Sequence, residues 1–393
     1  VNYTFPTITH IDQVRDAIAG RSEFIEADRG DHVIFNYLVN FEDTFPPVTD
    51  ERSAILRECR GLVFDRETGK VIGRRFHKFF NLGERTETRF IDFSEPHVIL
   101  EKLDGSMINF FQTSEGRIVC GTKMGDTDVA KNAAAFVEAR FDYGEFVRDM
   151  VSIKASAMFE WCSRKNRIVV DYPEDRLVLT AMRDNETGAY LDYDSMVVFA
   201  RMYDLEVIKK FDLTIDEAAE SLSSIEDEGY VVRFDDGHML KMKGSHYVQL
   251  HKTMEHMQHE KDLIRLIVDD KLDDAKPFLP EDLVSRLDEF GFSFFKNLKA
   301  TADDIAWEVI QDTVTTLGSK KEFAMLVRGK EETKVRFRAY DYLNDTLGGL
   351  EGRDIALERF VYDELVARVK GSLGTSTKVD SVRHLWGGLR WET

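Results

Sequence analysis

Apolar and polar positions follow two different periods along this chain. From about residue 24 to 250 the pattern is short and strand-like. "GLVFDRETGKVIGRRF" sets two β-rich arms around a polar turn at Gly69, which predicts a hairpin. "RLVLTAMRDNETGAYL" repeats that pattern near Asn185 to Gly188, and "GYVVRFDDGHMLKMKG" predicts a third hairpin with Asp236-Gly237 at its turn. Between them, "DVAKNAAAFVEARFDYGEFVRDMV" is alanine-rich and helical in period. After about residue 250 the period lengthens. Leu283, Leu287, Phe290, Phe294 and Leu298 share one helical face, as do Leu357, Phe360, Val361, Leu365 and Val369, and no proline follows Pro280. The pattern predicts a mixed N-terminal domain dominated by short strands, then a helical C-terminal domain starting near residue 255.

Composition narrows the setting. The 393 residues suffice for two domains, and 43% hydrophobic content can build cores in both. Neither a signal peptide nor an apolar run of about 18 residues marks secretion or membrane spanning, so a cytoplasmic protein is expected. Cys59, Cys120 and Cys162 lie far apart without zinc spacing, which fits a reducing compartment. A net charge of −19 argues against a general nucleic-acid coat. Local basic clusters nevertheless occur at 74–78 ("RRFHK"), 163–167 ("SRKNR"), 240–243 ("LKMK") and 320–338. Taken singly, each reads as a solvated face.

Chemistry enters at "EKLDGSMINFF", residues 101–111, where a lysine precedes Asp-Gly next to a predicted strand. Alone, this is an ordinary strand edge and turn. As a nucleophile, a lysine must be neutral, and its ordinary pKa of about 10.4 makes that costly near pH 7. Such a site should gather other cations. Lys241 and Lys243 alternate with Leu240 and Met242, so both ammonium groups leave one strand face. Arg60 in "ECRG" and Lys78 in "HKFFN" sit at strand ends or loops. The same cations suit a triphosphate. Asp104, Glu160 in "MFEWC" and Glu228 in "EDEGYVV" could hold the water shell of magnesium.

Taken in order, "LRECRGLVFD", "HKFFNLGE", "EKLDGS", "FEWCSRKNRIVV", "RDNETGAYL", "EGYVVRFDDG" and "LKMKGSHYVQLH" resemble the RNA ligase 1 family of bacteriophage tRNA-repair enzymes, within the covalent nucleotidyltransferases. The likeness runs from about Phe35 to His251. It implies an α+β chain, with a nucleotidyltransferase domain of antiparallel sheets flanked by helices over 1–252. An all-α substrate-specificity domain would occupy 253–393. It implies an ATP-dependent RNA ligase joining 5′-phosphate and 3′-hydroxyl ends through lysine–AMP and 5′-adenylated RNA. Lys102 would be the nucleophile, and Tyr37, Arg60 and Lys78 would line the ATP site. Glu160 would lie near ribose and metal, Glu228 beside the metal, and Lys241 and Lys243 on the phosphates. Lys123 in "GTKMG" and Tyr247 match two further positions needed for ligation, although "KMG" departs from the family's tighter Lys-Gly spacing.

The implied cofactors are ATP and Mg2+, with Mn2+ as a substitute, and the implied partner is RNA, with a nicked tRNA as one candidate. In "IVDDKLDDAKPF", Asp269, Asp270, Asp273 and Asp274 fall at helical spacing. They read either as a helix-end cluster or, for Asp273 and Asp274, as a second metal site. His251, His256 and His259 lack the cysteines a zinc site would want. The rival readings are a DNA ligase or GTP-dependent capping enzyme of the same superfamily, and a non-catalytic RNA-end binding protein. The lack of a recognisable OB-fold after "LKMK" argues against the first two, and the intact lysine and carboxylate set against the third.

Overall fold

The computed structural model describes residues 4–41, 43–223, 227–245, 247–248, 251, 254, 259–269, 271–276, 279, 281–347 and 354–391, with backbone alone at 274, 275 and 354. The chain divides into two units, Val1–Val248 and Gln249–Thr393. The expected boundary at Lys252 and Thr253 lies outside the described residues.

In the first unit, thirteen strands among the described residues form three sheets. β1 (Phe24–Asp28), β2 (His32–Tyr37), β3 (Leu62–Asp65) and β4 (Val71–Gly73) make one antiparallel sheet in sequence order. A second has the order β10 (Arg176–Asp184), β9 (Ala155–Cys162), β7 (Ser106–Gln112), β8 (Ile118–Gly121), again antiparallel. The third runs β11 (Lys210–Phe211), β6 (His97–Glu101), β12 (Gly229–Phe234), β13 (Met239–Lys243), β5 (Phe80–Asn81). Its β13–β5 pair is parallel, an exception to the antiparallel expectation.

The first and third predicted hairpins form as β3–β4 and β12–β13. The second does not complete. Its return arm makes only a bridge, Arg183 to Tyr190, before the helix Tyr193–Met202 begins. Its first arm pairs with β9 instead. β9 is central, and most of its side chains are buried, so "SAMFEWC" reads as an apolar run rather than an alternation. The alanine-rich segment is two helices, Asp128–Glu138 and Phe141–Ser152, broken at Ala139-Arg140. They bury Ala133, Val137, Phe146 and Met150 with Ile108, Phe159 and Leu179 of the second sheet.

The second unit is helical. The 35-residue helix Glu281–Thr315 buries Leu287, Phe290, Phe294 and Leu298 in one core with Leu357, Val361, Leu365 and Val369 of helix Asp354–Ser372. Leu283 and Phe360, the outer members of each stripe, are partly buried. No helix among the described residues is long and apolar enough to cross a membrane.

Candidate active site

Lys102 follows the last residue of β6, and its backbone N–H donates to the Gly229 carbonyl at 2.9 Å. Gly229 opens β12 with φ +133°, and a Cβ there would stand 2.1 Å from the Met242 carbonyl oxygen. Only glycine lets the chain turn at that point while β12 pairs with both β6 and β13. The result brings three charged side chains together. Lys102 Nζ donates to Glu228 Oε2 at 2.6 Å, and Lys243 Nζ lies 2.8 Å from Glu228 Oε1. Burial pushes the Glu228 carboxyl up, but the two ammonium groups outweigh burial and hold it below its ordinary range.

The Asp-Gly that follows Lys102 is not a hairpin turn. A Cβ on Gly105 would stand 2.4 Å from the Trp161 carbonyl oxygen and 3.0 Å from Glu160 Cγ, so Gly105 lets the lysine loop pack against β9. Asp104 is buried, and its oxygens are taken. Oδ2 accepts from the Val169 and Val170 N–H groups, each at 2.7 Å, and Oδ1 accepts from Tyr247 OH at 2.6 Å. With those three donors, Asp104 organises the loop rather than presenting a free oxygen for metal. Tyr247 is buried beside it, with its ring 5.4 Å from Lys243 Nζ.

Glu160 keeps partial access to solvent, unlike Ser156 to Phe159 just before it. Burial is the main reason its carboxyl is pushed up to about 7; Lys102 pulls it down, and Glu228 adds to the rise. Burial also drives the Lys241 ammonium well below its usual value, reinforced by the positive charges of Arg60, Lys102, Lys78 and Lys243. The cations therefore gather on Lys241, whereas Lys102 itself lies against the Glu228 carboxylate. Lys241 Nζ also lies 4.7 Å from the Phe79 ring centroid.

Tyr37 ends β2 and stands between Lys78 and Lys123, whose ammonium nitrogens are 4.9 and 4.3 Å from its ring centroid. Burial would raise its hydroxyl pKa, but Lys78, Lys123 and Arg60 together lower it. Lys123 therefore lies with Tyr37, Arg60 and Lys78 despite its looser spacing from glycine. A cavity of about 590 Å3 is lined by Lys78, Phe79, Phe80, Phe90 and Leu240 but by neither Lys102, Glu160 nor Glu228.

The acidic cluster does not form one helical face. Helix Glu260–Val268 ends at Asp269, and helix Leu272–Ala275 starts anew. Asp269 pairs with Lys370 at 2.7 Å and the exposed Asp273 with Lys276 at 2.5 Å, which favours the helix-end reading. Asp270, His256 and the Asp274 side chain lie outside the described residues. Among the described residues, no group of three or more His, Cys, Asp or Glu is placed to hold a metal.

One expectation is overturned at 74–78. "RRFHK" is not a solvated face: Arg74, Arg75, His77 and Lys78 are all buried. Arg183 grips Glu58 through both Nη atoms at 2.7 and 2.6 Å, and Arg74 adds Nε at 3.2 Å. Burial would push the Glu58 carboxyl up, but the two guanidinium groups hold it at about 2. This pair-and-a-half ties the end of helix Glu51–Glu58, just before Arg60, to β10 and to the segment leading to Lys78. Sequence reasoning missed it. The signal was two arginines and a glutamate inside otherwise apolar surroundings.

Residues 58–248, which hold all of the clustered side chains except Tyr37, match the RNA ligase family. Over more of its length the chain is similar to a Thermovibrio ammonificans protein named as an RNA ligase, 27% identical over 336 residues, covering 81% of this chain and 86% of that protein. RNA ligase 1 of bacteriophage TS2126 is 29% identical over 144 residues, 34% of this chain and 36% of its own length. Among solved structures, an archaeal ATP-dependent RNA ligase aligns over 96% of both chains at 17% identity and a TM-score of 0.45.

Proposed function

We propose that this RNA ligase uses ATP, and that Lys102 carries the AMP. The observation that supports the reading most is the lysine pair on Glu228, with Arg60, Lys78 and Lys241 close enough for their charges to add. The Lys102 nitrogen attacks the α-phosphorus; the nitrogen–phosphorus bond forms as the bond to the bridging oxygen breaks, and pyrophosphate leaves. Lys102 gives up its proton on the side where Glu228 already accepts its hydrogen bond. An RNA 5′-phosphate oxygen then displaces Lys102 from AMP, giving a 5′–5′ pyrophosphate. The RNA 3′-hydroxyl finally displaces AMP. Lys241 and Lys243 hold phosphate oxygens, and Tyr37 with Lys78, Lys123 and Arg60 bounds the polyphosphate end.

Glu160 and Glu228 suit a divalent cation. A carboxyl pushed up to about 7 by burial and a neighbouring carboxylate is relieved by a bound cation. Mg2+, which keeps several waters and needs few protein ligands, fits two carboxylates completed by water and phosphate oxygens. Mn2+ is the expected substitute. When bound, the ion offsets charge building on the transferred phosphorus. The partner is RNA with 5′-phosphate and 3′-hydroxyl ends, a nicked tRNA among them, and the helical unit selects it.

Intact mass after incubation with Mg2+ and ATP should show one added AMP, with peptide mapping placing it on Lys102. GTP should label poorly. An adduct elsewhere, or equal GMP transfer, sinks the assignment.

A further inference from the structure

Arg75 stands apart from the buried arginines beside it. Arg74 and Arg183 share Glu58, whereas no carboxylate meets Arg75 among the described residues. Its Nη1 donates to the Gly61 carbonyl, and its Nε and Nη2 are buried with no hydrogen-bond partner there. The residue is 2% exposed. Burying an unpaired guanidinium is costly, and an apolar side chain of similar length would fill the space at less expense. The charge needs a reason.

What lies over it supplies one. A Cβ on Gly61 would stand 2.7 Å from Arg75 Nη1 and 2.9 Å from the Lys123 carbonyl oxygen, and a Cβ on Gly121 would stand 2.8 Å from Nη2. The segments carrying Arg60 and Lys123 therefore meet on this guanidinium, with the Phe111 ring centroid 5.9 Å away on another side. Arg60 and Lys123 are the residues that, with Lys78, bear on the Tyr37 hydroxyl.

We propose that Arg75 is a positioning residue for the polyphosphate end of the site: its hydrogen bond to the Gly61 carbonyl sets Arg60 against Lys123, and its unpaired buried charge favours ATP from beneath. The proposal rests on the ATP reading above. Arg75 does not touch substrate; it acts through the Gly61 carbonyl and through a field that solvent screens poorly.

Arg75→Gln tests this, because glutamine keeps a donor for the Gly61 carbonyl and removes the charge. It should raise the KM for ATP in lysine–AMP formation by about tenfold with kcat within about threefold. Its Tm should equal or exceed that of the unmodified protein, since an unpaired buried charge is gone. Arg75→Lys, which restores a charge, should recover most of the KM. A purely structural Arg75 predicts the reverse, a lower Tm in Arg75→Gln with KM unchanged, and that result overturns the proposal. So does a loss of kcat at constant KM, or a KM in Arg75→Lys no better than in Arg75→Gln. If the unmodified protein takes no AMP from ATP, the ATP reading fails first and separately.

Discussion

Two basic regions of this chain look alike in sequence and differ in the fold. Residues 320–338 carry seven lysines and arginines against three glutamates in one run. The clustered cations of the first unit, Arg60, Lys78, Lys102, Lys241 and Lys243, come from separated segments and never form a dense run. Yet the run is the neutralised region. Lys320 meets Asp341 at 2.6 Å, Lys330 meets Asp312 at 2.9 Å, Arg336 meets Glu308 at 2.7 Å, and Arg338 meets Glu364 at 2.5 Å. In the catalytic unit, Lys102 and Lys243 share the single carboxylate Glu228, and the remaining cations crowd Lys241. The proposed phosphate site is made by convergence with few acids, not by local density of cations. Four of the seven cations in 320–338 are thus already paired with carboxylates.

The strongest way to break this comparison is at the converging end. Lys102→Ala should abolish AMP transfer from ATP, a loss of at least about a thousandfold. It should still seal RNA that already carries 5′-AMP, because that step needs no lysine adduct. Equal loss of both activities in a folded variant would show that Lys102 matters for something other than the covalent step.

Next in size is the shared acid. Glu228→Ala removes the carboxylate that holds both lysines and leaves their charges unopposed, so adenylation and sealing should each fall by about a hundredfold. Lys243→Ala should mainly impair adenylation, by about tenfold to a hundredfold, since it removes one phosphate-facing charge. Single-turnover assays of each step separate the two outcomes. A larger effect of Lys243→Ala on sealing than on adenylation would contradict the assignment.

Glu160 gives a pH test whose sign is set by its raised pKa of about 7 against an ordinary value of 4.5. Between those values the folded form holds a proton that the unfolded form has lost, so the group's contribution to stability falls as pH rises through that window. Metal-free protein should therefore melt a few degrees higher as Glu160→Gln at pH 8, while near pH 4.5 the difference should vanish. Adenylation with Mg2+ should rise from pH 6 to 8 if the ionised form holds the cation, and Glu160→Gln should lose that rise. Melting curves at several pH values check the first expectation, and pH–rate profiles the second.

Much of the catalytic arrangement was legible because it is written in local strings. The alternation in "LKMK" put Lys241 and Lys243 on one strand face, whereas the close approach at Gly229 that delivers Glu228 to Lys102 appears only in the fold. The Asp-Gly of "EKLDGS" was legible as a special position but not in kind. Its glycine serves packing against β9 and its aspartate serves the loop, which depends on partners 65 and 143 residues away at Val169 and Tyr247. The buried "RRF" stretch was illegible for the same physical reason. A charged run looks solvated unless its counter-charge is known, and Glu58 meets Arg183 across 125 residues of chain. The incomplete second hairpin shows the limit of turn chemistry: the turn closes with the Arg183–Tyr190 bridge, but the return arm then leaves for the helix Tyr193–Met202.

The smallest expected effect sharpens the other side of the comparison. Within 320–338, Lys321, Arg328 and Lys334 have no carboxylate partner among the described residues. Each phosphate contact on single-stranded nucleic acid contributes about 0.7 to the slope of log affinity against log salt. Three available cations can account for a slope of about 2, whereas seven would give about 5. Changing all three to glutamine should therefore weaken RNA binding only severalfold and flatten the slope by no more than about 2. The pairs holding the other four are mostly at the surface, where such contacts are weak, so removing an acid should free its cation at little cost in stability. Asp341→Asn with Glu364→Gln releases Lys320 and Arg338, and it should tighten RNA binding and steepen the salt slope by about 1. Fluorescence anisotropy with a short single-stranded RNA over a salt series reads both changes. If the triple variant still keeps a slope of about 3, the paired cations do reach RNA, and the helical unit uses density where the first unit uses convergence.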